Sequence, residues 1–182
     1  MKPIKYILIV LLSFNIQIAI SQTNENKSFP MEQLKFIGTW QWESHDSVFT
    51  IKIDKVQIDW KKFDSKMPDS AGVDEILIGW HELTVMGKVV ESNMNAKNNS
   101  FKYEKRDHMI FWNTMPNNDK EIRYSNFKNI SKRKSAKGVF IIQPDNNNKA
   151  MFILYESSLA IHRKEYTEGF TVPNRIIMTR IK

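Results

Sequence analysis

Beyond Gly38 the chain is written in short apolar–polar alternations, and this period of two constrains the fold more than any other feature. Val48–Trp60 shows it most plainly: Phe49, Ile51 and Ile53 fall on one face, then Val56, Ile58 and Trp60 on the other. Such a string cannot gather one apolar stripe as a helix, where residues sharing a face lie three or four apart. The change of face predicts a bulge or bend near Asp54-Lys55. Comparable runs occupy Thr39–Ser44, Glu75–Met86, Lys88–Glu91, Phe101–Glu104, His108–Thr114, Glu121–Lys128, Gly138–Gln143, Ala150–Glu156, Leu159–Arg163 and Arg175–Ile181. Between them, Lys61–Asp74 and the Asn-rich Ser92–Ser100 read as loops, and Met86-Gly87-Lys88 as a hairpin turn. Met115-Pro-Asn-Asn-Asp-Lys and Gln143-Pro-Asp-Asn-Asn-Asn-Lys read as two further hairpin connections.

Eight or more short strands with almost no helix predict an all-β fold. The expected architecture is a single antiparallel up-and-down barrel over residues 31–182, with a β-sandwich as the alternative. The one helical pattern is Met31–Ile37, where Met31, Leu34 and Ile37 recur at every third residue and Gly38 can end the turn. Two runs resist a simple barrel. Val139–Ile142 and Met151–Tyr155 are apolar on both faces, and strands of that kind are usually covered on both sides. A lid helix, a second sheet or a self-association surface would supply the cover.

The segment ahead of this domain has a different character. Met1–Ser21 carries Lys2 and Lys5, an apolar run from Tyr6 to about Phe14, and Ala19 and Ser21 at the −3 and −1 positions of a small-x-small cleavage site. It reads as a signal peptide, with Gln22 as the new N-terminus, 22–30 as a disordered lead, and a periplasmic or secreted destination. Asn15 and Gln17 interrupt the run short of the roughly 20 residues that span a bilayer, so no membrane span is expected. The formal charge of +7 includes both of these lysines and no acid, leaving +5 after removal. The absence of cysteine excludes disulfides, thiol nucleophiles, thiolate metal sites and a lipid-modified N-terminal Cys.

Leu34-Lys-Phe-Ile-Gly38-Thr39-Trp40 resembles the opening of a lipocalin or calycin barrel. The resemblance implies that a helical turn leads into Gly-x-Trp, that Trp40 plugs one barrel end, and that a basic residue of the last strand packs across it. Gly38, Trp40 and Arg180 are the residues this assigns, with Arg175 and Arg163 as substitutes for the arginine. Over nearly all of the chain beyond Gln22, the sequence also resembles a family of small exported Bacteroidota proteins of unknown function. The matching pieces are Phe36-Ile-Gly-Thr-Trp-Gln-Trp, Phe49-Thr-Ile-Lys-Ile, Glu75-Ile-Leu-Ile-Gly and Phe170-Thr-Val-Pro-Asn-Arg-Ile-Ile-Met-Thr. That likeness implies fold and location, and no activity.

Familiar chemistries find no motif. His45, His81, His108 and His162 form no His-x-His or His-x-x-x-His pair, and His81-Glu82 lacks the second His of a metalloprotease helix. There is no Gly-x-Ser-x-Gly elbow and no phosphate-cradling loop. Asp74 and Glu75 are adjacent, so on a strand they point to opposite faces. Asp145-Asn-Asn-Asn148 lacks the spaced acids of a calcium loop and reads as a turn. The expectation is therefore a non-enzymatic protein without cofactor or metal. The basic run Lys128–Lys137 reads as a solvated loop rather than a nucleic-acid site, since no aromatics are interleaved with it.

The aromatic residues carry the positive expectation. Trp40 and Trp42 share a face, as do Ile76, Ile78 and Trp80, and Met109 and Phe111. In a closed barrel such faces line the interior. An unfilled interior would hold a small apolar molecule touched by Trp40, Trp42, Trp80 and Phe111. A filled one would make a structural or protein-interaction module, able to self-associate through Val139–Ile142 and Met151–Tyr155.

Overall fold

The computed structural model describes residues 31–63, 66, 68, 72–95, 109–112, 119–132, 134–155 and 169–182. The expected signal peptide, the lead at 22–30 and the strands expected at Phe101–Glu104 and Leu159–Arg163 lie outside the described residues. A 3-10 helix, Met31–Phe36, precedes the first strand. Its three-residue period matches the spacing of Met31, Leu34 and Ile37, yet among its described side chains Phe36 is buried while Leu34 is exposed.

The strands are β1 (Gly38–Glu43), β2 (Ser47–Asp59), β3 (Val73–Val85), β4 (Lys88–Ser92), β5 (Met109–Trp112), β6 (Glu121–Asn129), β7 (Lys134–Gln143), β8 (Asn146–Tyr155) and β9 (Arg175–Arg180), with one helical turn, α1 (Trp60–Phe63), after β2. Every pairing is antiparallel. Strands β1, β2, β3, β5, β6, β7, β8 and β9 pair in that order, and β9 returns to β1. The result is a closed eight-stranded barrel with β4 as an extra strand. Closure removes the exposed edges that an open sandwich would leave. Strands β4 and β5 share one edge of β3: β4 pairs with Glu82–Val85, and β5 with Leu77–Gly79.

Alternation decides which residues are interior. On β2, Phe49, Ile51 and Ile53 are buried while Lys52 is exposed. Their partners Leu83, His81 and Gly79 must share the face. The interior then fills with rings from strands that are not neighbours. Trp40 of β1 meets Phe140 of β7 at 5.0 Å, and Phe49 of β2 meets Phe152 of β8 at 5.4 Å and Phe127 of β6 at 6.4 Å. Tyr124 stacks on Phe152 at 5.4 Å, and its hydroxyl donates to the Ile153 carbonyl at 2.7 Å. That ring lies where Gly138 has no side chain: a Cβ there would fall 2.3 Å from the Tyr124 hydroxyl and 1.9 Å from the Ile153 oxygen.

Several sequence expectations change here. The expected bulge at Asp54-Lys55 is absent; β2 pairs with β3 without a break from Ser47↔Val85 to Asp59↔Val73. The apolar residues simply cross to the outer face, where Ile58 and Ile78 are buried. Trp80 lies on that outer face too, because it pairs with Lys52, whose ammonium sits 5.5 Å from its ring centre. The face shared by Ile76, Ile78 and Trp80 therefore does not line the barrel. The basic run is not one loop: Lys128 belongs to β6 and Lys134–Lys137 begin β7, because Ala136 turns inward across from Phe127. Likewise Asn146–Asn148 open β8, and the expected seven-residue connection shrinks to Pro144-Asp145.

Candidate functional site

Two β-bulges place polar residues inside the barrel. The hairpin turn at Met86-Gly87 pairs Val85 with Lys88 and Thr84 with Val89, and uninterrupted pairing would then set Glu91 opposite Glu82 on the outer face. Instead the register shifts between Leu83 and Thr84, and Glu91 faces Leu83, which is interior. The second bulge falls between Tyr124 and Phe127, where Asn126 takes a left-handed φ of 62°. It turns both Phe127 and Asn129 inward. Either strand without its extra residue would present these side chains to the other face.

The two reoriented residues meet His81. Glu91 Oε1 accepts from His81 Nε2 at 3.1 Å and from Asn129 Nδ2 at 3.1 Å. Glu91 Oε2 accepts from Asn129 Nδ2 at 2.9 Å, Ser131 Oγ at 3.1 Å and the Ser131 backbone N–H at 3.4 Å. Thr171 Oγ1 donates to Asn129 Oδ1 at 3.4 Å. His81, Glu91 and Asn129 are all buried. Burial by itself would push the Glu91 carboxyl up, but the hydrogen bond and charge of His81 together with the Ser131 donors outweigh it. They hold the carboxyl below its ordinary value.

The carboxylate has a mechanical role. Among the described residues β4 pairs with β3 alone, and Glu91 spans from β4 to the end of β6 and the turn that follows. A side chain thus makes the connection that a strand pairing makes elsewhere. The His81 ring lies 4.2 Å from the Phe127 ring and 6.2 Å from that of Phe49. Nε2 facing a carboxylate carries its proton, and Nδ1 is buried without a hydrogen-bond partner. That atom accepts when the ring is neutral and donates when it is protonated.

The residues named from the sequence occupy different places. Trp40 is fully buried, its indole N–H donating to the Phe36 carbonyl at 2.9 Å. The Arg180 guanidinium lies 4.5 Å from the Trp40 ring centre and donates through Nη2 to the Lys35 carbonyl, while its Nε is buried without a partner. Burial pulls the Arg180 pKa below the ordinary arginine value. Gly38 has φ 139°, and a Cβ there would lie 2.3 Å from the Lys182 carbonyl oxygen. Arg175 is exposed, and Arg163 lies outside the described residues. Phe111 is buried in the core and Trp42 packs partly against it. Trp40, Trp42 and Phe111 thus share the interior, and Trp80 is apart from them.

His81 was visible in the sequence, but its partnership with Glu91 was not. Only the bulge decides that Glu91 faces inward. Among the described residues no three His, Asp or Glu side chains converge as a metal site.

The profile of a family of unknown function, DUF6705, matches residues 1–181. The chain belongs to that family. No curated protein and no solved structure matches the chain. For this DUF6705 member the barrel and its buried His81–Glu91–Asn129 cluster are therefore the available guides to function. Among the described residues no helix is long and apolar enough to cross a membrane.

Proposed function

We propose that this DUF6705 protein is a non-enzymatic, exported interaction module on a lipocalin-like barrel, recognising its partner through the outer surface. One observation carries the reading: rings from β1, β2, β6, β7 and β8 touch one another across the interior. Side chains in van der Waals contact across a small barrel make a packed scaffold, and apolar ligands need a concave space that such contacts occupy. Glu91 fits the same role, since its donors satisfy both oxygens and leave it as a structural tie.

The test is titration of the delipidated protein with fatty acids and aromatic small molecules, followed by tryptophan fluorescence. The reading expects no saturable quenching. Saturable one-to-one quenching would transfer the function to the interior. That second reading, a small apolar ligand held in the barrel, draws support from the unpartnered His81 Nδ1 beside Phe127. A ligand hydroxyl would complete it, and His81→Phe would then abolish the quenching. Export is checked by N-terminal sequencing of the protein recovered outside the cytoplasm, which should begin at Gln22.

A further inference from the structure

The outer face of β6–β9 combines an apolar centre with a cationic rim, and cross-strand partners define it because they share a face. One row runs Arg123–Val139–Ile153–Arg175, and the next Glu121–Ile141–Met151–Ile177. Lys137 pairs with Tyr155 beyond one side, and Lys149 with Thr179 beyond the other. Ile177 is 41% exposed and Tyr155 50%; Ile141, Met151 and Ile153 are half-buried, and Val139 is buried. Among the described residues of these rows, Arg123, Lys137, Lys149 and Arg175 are all exposed, against one acid, Glu121, which lies 3.5 Å from Arg123. These are the outer halves of the two doubly apolar strands; their inner halves, Phe140, Ile142, Phe152 and Leu154, belong to the core.

We propose that this face docks on the surface of a bilayer containing anionic phospholipid. The inference rests on the reading that recognition uses the outer surface. An apolar sheet face ringed by cations suits that surface: the aliphatic side chains enter the headgroup boundary and the basic ones reach lipid phosphates. Charge selects among occupants. Counting the described residues, a second copy docked symmetrically would bring four cations against four, with one acid on each side to relieve them. An anionic membrane reverses that interaction from repulsion to attraction.

Co-sedimentation of the full-length chain with phosphatidylcholine vesicles, with and without a third of phosphatidylglycerol, tests this. Binding should require the anionic lipid and fall with salt. Lys149→Gln/Arg175→Gln should weaken partitioning about thirtyfold, from about fivefold for each cation near an anionic surface. Met151→Ser/Ile177→Ser, at unchanged charge, should weaken it about tenfold. Residues 1–30 are common to all these chains, so a difference between the chains reports on the substituted face. Near-ultraviolet circular dichroism confirms that each variant is folded. Equal binding to neutral and anionic vesicles, or folded variants that bind as the parent does, would overturn the proposal. So would a dimer in light scattering that the same substitutions dissolve, although recognition through the outer surface would then survive. Saturable interior quenching would instead remove the underlying reading and leave the vesicle result to stand alone.

Discussion

Removing the Glu91 carboxylate tests whether a side chain ties the extra strand β4 to the end of β6. Glu91→Ala leaves the His81 Nε2, the Asn129 amide and the Ser131 donors without their acceptor. His81 and Asn129 are each 0% exposed, so water cannot replace it without local opening. A buried donor left unpaired costs about 1–3 kcal/mol. With the His81, Asn129 and Ser131 donors all left unpaired, a total of about 3–5 kcal/mol is expected. In a domain of this size each kcal/mol moves Tm by about 2–4 °C, so a fall of roughly 6–20 °C is expected. Glu91→Gln keeps the shape and one acceptor but turns a donor toward Asn129 or Ser131, and should lose about 1–3 kcal/mol.

The pH dependence gives an independent check. The folded Glu91 pKa lies below its ordinary value of 4.5, so its stabilisation is fully present above that value and is lost as pH falls through the lower, folded one. The stability gap between wild type and Glu91→Gln should therefore narrow as pH falls below about 4.5. Urea titrations across that range measure it. A Glu91→Ala protein within about 0.5 kcal/mol of wild type near neutral pH would refute the tie. A gap that widened as pH fell below about 4.5 would refute the sign.

Three other substitutions probe the frame that holds this cluster. Gly138→Ala should cost at least about 3 kcal/mol in urea unfolding, because the new methyl displaces Tyr124 and its hydrogen bond to Ile153. Tyr124→Phe in the same background should recover part of that loss by removing the crowded hydroxyl. At the second bulge, Asn126→Val should cost about 1–2 kcal/mol more than Asn126→Gly, since a β-branched residue resists the left-handed φ. Arg180→Met keeps the aliphatic stem but loses the guanidinium over Trp40; it should cost about 1–2 kcal/mol and shift the tryptophan emission.

The sequence made most of the barrel legible because alternation is a local property. Phe49, Ile51 and Ile53 announce an inner face without knowledge of any partner strand, and Gly38-Thr39-Trp40 marks where the first strand begins. What failed was the assumption that an apolar face is an inner one. Trp80 pairs with Lys52 and faces outward, although its own strand offers no sign of it: Leu77, Ile78, Trp80 and Leu83 leave both faces apolar. The face is decided by Phe49 and Ile51 on the neighbouring strand, through register. The lysines at 134 and 137 misled for the opposite reason, since a cation flanking Ala136 fits a strand as well as a loop when its head stays in water.

The polar cluster was hidden more deeply, because it depends on parity errors in two strands at once. With the β3–β4 bulge alone, Glu91 would face inward without the Asn129 amide, and with the β6 bulge alone Asn129 would lose its carboxylate. Either half alone buries polar atoms lacking their main partner, which is costly. Together they satisfy one another and tie β4 to the β6–β7 turn. The bulges are thus energetically coupled although they lie about forty residues apart. A double-mutant cycle makes this concrete. Glu91→Gln and Asn126→Val should lose less stability together than the sum of their separate costs, because a displaced Asn129 no longer needs the Glu91 oxygens. Strict additivity would mean that each bulge is held by its own strand, and that the meeting of His81, Glu91 and Asn129 does not stabilise the register of either.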